Sequence, residues 1–409
     1  MDNVTHSVVG LLVGEAALVL RRARGTDDGL RASALVVSVL ANNAPDIDSA
    51  YASFLSNPLG SLLHHRGHTH TLVFVPLLAA LAVGVVLAVA RGRGTRIAPR
   101  DRAWLFSLAL AGVAIHIGLD ATNNYGVHPF WPFFDGWLYG DSVFIVEPLL
   151  WAALIPPLVL SPGPRWLRVS LATIVLFGVG MCWLREFVPR SMAVVVTLVA
   201  GLTALASREA SAARRVLVSA AATGAVLVTF AVSSSLARRA VTLAAEASFP
   251  HAVTHDTVLT PMPADPLCWQ VVLVQTDGER YVARTGVVAI APGFMTASAC
   301  PFDAWAKPTA PSEPVPVAPT PSVRWIREFS APVRELRALA GESCVFRALL
   351  RFARAPFWAH DEALGRVAGD VRYDRSAGLD FSDTVLDRVG CPDHLPPWTP
   401  PRRALLEAH

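Results

Sequence analysis

The chain has 409 residues, 53% of them hydrophobic and only 16% charged, with a formal net charge of +3 and a mean hydropathy of +0.44. A soluble domain carries nearer a quarter charged residues, so a wholly soluble protein is excluded, and the small net charge makes no electrostatic case for direct nucleic-acid binding. The apolar excess lies before about residue 240. This implies an all-α polytopic membrane domain over residues 1–238, followed by a smaller extracytoplasmic α+β domain over residues 239–409.

The N-terminus, Met1-Asp2-Asn3-Val4-Thr5-His6, has no basic region and no cleavage pattern, so it does not read as a secretory signal. Apolar runs then recur at about 7–20, 31–44, 71–90, 103–119, 143–160, 166–184, 191–206 and 215–236. They predict about eight embedded helices, the first two short for a full crossing. Richness in Ala, Val and Arg with little Lys gives the sequence a bacterial character.

Loop charges set an orientation. One set of alternate loops holds Arg21, Arg22, Arg24, Arg31, Arg91, Arg93, Arg96, Arg100, Arg102, Arg165, Arg168, Arg208, Arg214 and Arg215; the other holds Arg66, Arg185 and Arg190. By the positive-inside rule the first set is cytoplasmic. The N-terminus and everything after the last helix are then extracytoplasmic, in a bacterial inner membrane. The same assignment puts His6, the Asn42–Asp48 turn, the His64–His70 cluster and the His116/Asp120 pair on one extracytoplasmic face.

Beyond residue 240 the pattern changes. Trp269–Gln275 and Arg280–Ile290 read as strands joined around Asp277-Gly278. The Pro-rich stretch 306–322 reads as an extended loop. Ala331–Ala340 suggests a helix; Cys344–Phe352 and Arg366–Tyr373 suggest strands. Cys182 lies in an apolar run, whereas Cys268, Cys300, Cys344 and Cys391 form an even set that permits two disulfides outside the cytoplasm.

The chemistry concentrates early. His64-His65-Arg66-Gly67-His68-Thr69-His70 precedes an apolar helix, and imidazole is the usual nitrogen ligand for zinc-like ions. Asp46 and Asp48 stand two apart just past Pro45, placed to bind or bridge metals. His116 and Asp120 share one helical face at i and i+4, and ionisable groups inside a membrane are functional by default. These observations make His6, Asp46, Asp48, His65, His70, His116 and Asp120 the candidate ligands. His68, His128, Asp141 and Glu147 are further candidates. Asp48 and Arg66 are the candidate catalytic residues, with Arg66 able to hold an anionic substrate group. More than four such groups imply two or three divalent ions, with zinc the expected metal.

Thr5-His6, Pro45-Asp46-Ile47-Asp48, His65-Arg66-Gly67-His68-Thr69-His70 and His116-x-x-Leu119-Asp120, with Asn124 and Gly126 after it, resemble the membrane-bound metal-dependent hydrolases of YdjM type, also described as LexA-binding and inner-membrane-associated. The ligand order is distantly similar to the zinc-dependent phospholipase C and single-strand nuclease superfamily. Here His128 is the one candidate for that superfamily's next histidine, and no His-x-x-x-Glu follows, so Asp141 and Glu147 would have to substitute. The resemblance implies a metal-dependent hydrolase acting on a phosphoester or ester of an amphiphilic substrate, with the lipid bilayer as surroundings. The C-terminal part, through Pro263-x-x-Pro266-x-x-Trp269, is similar to the extension of longer members and is a place for a protein partner. The rival expectation is a non-catalytic membrane scaffold or partner-binding protein whose metal site is structural.

Overall fold

The computed structural model describes residues 1–21, 28–52, 54, 59–301, 308–375, 378–387 and 390–407. Arg22 and Arg24 of the orientation argument, and the first two residues of the Pro-rich stretch at 306 and 307, lie outside the described residues.

All eight apolar runs are helical. They are α1 (Asn3–Arg21), α2 (Asp28–Asn43), α5 (Val75–Gly92), α6 (Pro99–Asp120), α7 (Pro148–Val159), α8 (Arg165–Leu184), α9 (Arg190–Ser207) and α10 (Ala212–Ser248), with the short α3 (Asp48–Ala52) and α4 (Gly60–His64) between α2 and α5. Six of them, α1, α5, α6, α8, α9 and α10, are long and apolar enough to cross a membrane. This refines the expected eight. At 16 residues α2 is short of a crossing. At 12 residues α7 is shorter still and is buried along most of its length. Pro148 opens α7, the Glu147 side chain caps it, and Pro156-Pro157 ends its useful length.

Small residues bring the N-terminal helices close. A Cβ on Gly10 of α1 would lie 2.8 Å from the Ser38 carbonyl oxygen of α2, and one on Gly112 of α6 would lie 2.9 Å from Asn42 Nδ2. Helices in a membrane gain mainly from such close packing, since lipid is as apolar as the side chains. The result is that α1 and α6 both press on α2, one turn or so from His6, Asn42 and His116.

Helix α10 has 37 residues, about 55 Å at 1.5 Å per residue, against a hydrocarbon core of about 30 Å. It therefore runs out of the apolar slab and carries the C-terminal domain. That domain is built on an antiparallel sheet of β1 (Val253–Met262), β2 (Asp265–Asp277), β3 (Arg280–Ala289), β4 (Glu313–Pro314) and β5 (Val323–Pro332), in the order β1-β2-β3-β5-β4. The β2–β3 hairpin closes on Asp277 and Arg280 as expected, with Gly278 at φ +55° supplying the left-handed turn residue. Strand alternation divides the core. Trp269, Val271 and Leu273 pack with Phe230 and Val241 of α10. Val272 and Val274 pack with Phe346 and Leu349 on the other face.

Helix α11 (Val333–Glu342) matches the expected helix. The strand expected over Cys344–Phe352 is instead helix α12 (Cys344–Leu349), because Ser343 caps it by accepting from the Phe346 amide and Val345, Phe346, Ala348 and Leu349 bury one helical face. A second sheet, β6 (Pro356–Asp361), β7 (Gly365–Asp370) and β8 (Thr384–Val385), covers the Arg366 strand expectation; a last short helix, α13 (Arg403–Leu406), follows. Cys268 pairs with Cys300 and Cys344 with Cys391, while Cys182 is free and buried.

Candidate metal centre

Four chain segments meet at one end of the bundle. His6 sits in the first turn of α1, and His116 and Asp120 in the last turns of α6. Asp46 and Asp48 lie on the turn that ends α2, made abrupt by Pro45. His70 closes a single 3-10 turn directly before α5.

Asp46, His70, His116 and Asp120 offer four donor atoms to one point. The His70 and His116 Nε2 atoms are 3.1 Å apart. His70 Nε2 is 3.5 Å from Asp46 Oδ1 and 3.2 Å from Asp120 Oδ2. His116 Nε2 is 3.5 Å from each of the same two oxygens. Four donors bonded at about 2.0–2.1 Å to one tetrahedral ion stand about 3.3 Å apart, so this spacing fits a zinc-type ion. Asp46, Asp48 and His65 form a second donor group that shares Asp46 with the first. Its His65 side chain is 25% exposed, whereas His70, His116 and Asp120 are closed off.

The charges also fit a cation. Three carboxylates crowd the centre against the Arg66 guanidinium and the Met1 amino group. Burial opposes charge on His70, but hydrogen bonds to Asp120, Asp46 and Asp48 outweigh it and push His70 up to about 10. Burial likewise works against ionised Asp46, yet hydrogen bonds from His116 and His70 hold it well below the ordinary carboxylate range. A proton on His70 thus takes the place that a metal's positive charge would fill.

Supporting contacts fix the ligand rings. His116 Nδ1 donates to the Asn42 carbonyl at 2.6 Å, which leaves Nε2 facing the centre. His70 Nδ1 is 3.2 Å from Asp48 Oδ2. The same Asp48 oxygen accepts from the Thr69 hydroxyl at 2.8 Å and from the Arg66 amide at 2.9 Å; its other oxygen is 2.9 Å from His65 Nδ1. Carboxylates and carbonyls behind a histidine set its tautomer and raise its basicity. Asn42, Thr69 and Asn123 were not among the residues singled out from sequence, although Asn42 and Thr69 stand inside the motifs.

Arg66 adopts φ +59° and is buried. Its guanidinium lies 3.0 Å from Asp120 and 2.8 Å from Asn123 Oδ1, and 4.8 Å over the Tyr125 ring. Its fork is thus committed to protein groups and closed to direct contact by a substrate. His6 stacks on His116 with ring centroids 3.7 Å apart, and its Nε2 is 3.2 Å from Asp120 Oδ1. The Met1 amino group also contacts Asp120.

The other histidines of the cluster face elsewhere. His64 Nε2 is 3.3 Å from the His394 carbonyl. His68 lies edge-on to Trp131 at 4.7 Å and near Trp398. His128 is fully buried and stacked on Trp398 at 4.3 Å, and burial holds it neutral, down to about 3. Asp141 pairs with Arg354 at 2.7 Å and Arg238 at 3.1 Å. Glu147 accepts from the Leu149 and Ala264 amides. None of these five belongs to the two donor groups.

Residues 1–188 match the family model described as YdjM inner membrane protein. That segment contains helices α1–α8 and both donor groups. The uncharacterized protein YfhP of Bacillus subtilis (strain 168) is 24% identical over 176 residues, 42% of this chain and 51% of that protein. The match therefore spans about half the length of that curated relative. No solved structure matches the chain.

Proposed function

We propose that the chain is a multi-pass inner-membrane hydrolase, metal-dependent and acting at the extracytoplasmic face on a phosphoester or ester of an amphiphilic substrate. The observation that carries this reading is the pair of donor groups joined at Asp46, one closed and one reaching solvent at His65. A divalent cation, zinc by donor type, supplies an activated water and a Lewis acid for the phosphoryl or acyl oxygen when bound. Asp46, His70, His116 and Asp120 would hold one ion, with His6 beside them. Asp48 orients His65 and His70. Arg66 keeps Asp120 in place; buried and with its fork committed, it would act on an anionic substrate group only through its charge at a distance.

Two independent features support the extracytoplasmic placement. The arginine-rich loops lie at the opposite helix ends, as the positive-inside rule requires of cytoplasmic loops. The C-terminal domain carries two disulfides, which persist in oxidising compartments, and it packs on the donor end through His394 and Trp398. In this reading the bilayer and an amphiphilic substrate are the partners, the C-terminal domain is open to a protein partner, and no nucleic acid is bound.

A structural metal clip in a non-catalytic scaffold is the second reading. The burial of the four-donor group favours it, since structural zinc sites are closed. Metal analysis of the purified protein, followed by a panel of phosphodiester, phosphomonoester and lipid substrates, separates the two. The hydrolase reading expects stoichiometric metal, a turned-over substrate, and loss of turnover in His65→Ala and Asp120→Ala. It is lost if no stoichiometric metal is found and both variants leave every activity unchanged. Metal without turnover on any substrate, released by Asp120→Ala, supports the clip.

A further inference from the structure

Helix α5 exposes Val73 just before its start and then Leu77, Leu81, Val85 and Val89, a single stripe at i, i+4 spacing. On a membrane-crossing helix this stripe is the lipid-facing side. Its upper end lies at His68–His70. A second exposed apolar group is fastened there. The Leu72 amide donates to the Pro129 carbonyl at 2.8 Å, and Trp131 meets His68 and thereby the α5 entrance. Phe130, Phe133 and Phe134 all project from this turn, with Phe133 91% exposed. Phenylalanine at that exposure is costly in water, by roughly 2–3 kcal/mol per side chain. From the other side the C-terminal domain braces the loop, through Thr399 on Asp135 and Trp137 Nε1 on the Arg351 carbonyl.

We propose that residues 130–134 form an aromatic lip that dips into the bilayer interface beside the metal centre, with lipid as its occupant. The continuity of the loop with the α5 lipid stripe identifies that occupant, because the Leu72 amide is bonded to Pro129 at the root of the loop and neither 71–90 nor 129–134 contains a charged residue. Aromatic side chains favour this interfacial layer. The lip marks the direction from which an amphiphilic molecule leaves the bilayer for the donor groups. Its location does not depend on whether the centre is catalytic.

Site-directed spin labelling tests it on the full chain in lipid nanodiscs. Phe133→Cys and Phe134→Cys are labelled separately, in a background with the buried Cys182 changed to Ala. Leu77→Cys serves as lipid control and Glu362→Cys, exposed in the C-terminal domain, as water control. The proposal expects the oxygen-to-nickel-chelate accessibility ratio at 133 and 134 to approach that of the lipid control. A ratio equal to the water control overturns it. Protection from both relaxants, the signature of a second copy or protein partner covering the loop, overturns it as well.

Discussion

The two halves of the molecule differ in what they expose and in where they bury polar groups, although both have apolar cores. In the membrane half, Leu176, Phe177, Leu184, Leu198 and Leu202 are exposed, while His6, Asn42, His70, His116 and Asp120 are buried. In the C-terminal half, Trp269, Tyr281, Phe346 and Phe357 are buried in the ordinary way. Lipid gives little drive to bury apolar groups, so the helix bundle can hold a buried polar cluster at one end beside its apolar packing. In water the interior must be apolar, and buried charges survive only in pairs. Arg354 holds both Asp141 and Asp256 at the seam between the halves, and Arg372 pairs with Asp370 while it reaches across to the Asn124 carbonyl.

The contrast can be broken at the polar interior first, where the largest effect is expected. His116→Ala or Asp120→Asn should remove at least one equivalent of metal from the purified protein, measured by elemental mass spectrometry. Any hydrolytic turnover should fall by two orders of magnitude or more, since an absent ligand removes both ion and geometry. Retention of full metal content in both variants would sink the assignment of the four-donor group.

At the seam, Arg354→Met leaves Asp141 and Asp256 buried with one cation fewer. Breaking a buried pair costs ~3–5 kcal/mol, and the lower end is expected because Arg238 and Arg402 remain on the two carboxylates. The measurement is limited proteolysis together with thermal unfolding of the full chain. The C-terminal domain should become protease-sensitive while metal content holds.

A smaller effect concerns pH. His70 is raised, so its charge contributes stability that is complete below the unfolded value of 6.5 and is lost as pH rises through about 10. Metal-free protein should therefore show a falling Tm across that window. In loaded protein the ligand is already neutral, so the slope should vanish. Parallel slopes with and without chelator would separate His70 from the metal. The smallest effect is expected for His64→Gln and His68→Gln, whose rings face His394 and Trp131; metal content should be unchanged in both.

Much of this could be read from the chain. Eight apolar runs gave eight helices because a helix needs only a local period. The loop arginines place His6, Asp46, His70 and Asp120 at one end without reference to any contact, since topology constrains distance in a bilayer. The β2–β3 hairpin followed from Asp277-Gly278. Other features were not local. Cys344–Phe352 has strand-like composition, and only the Ser343 cap and its buried face decide for helix. Asp141 and Glu147 read as further ligands near a metal motif, but their partners Arg354 and Ala264 come from more than 100 residues away.

By itself, then, the sequence determined the donor types, their shared face and the division into two halves, because residue chemistry and hydropathy are properties of single segments. The tertiary structure alone decided which donors share a point. Close packing of Gly10 and Gly112 on α2 aligns three helices to within a few ångströms, and that alignment selects Asp46, His70, His116 and Asp120 while turning Arg66 inward onto Asp120.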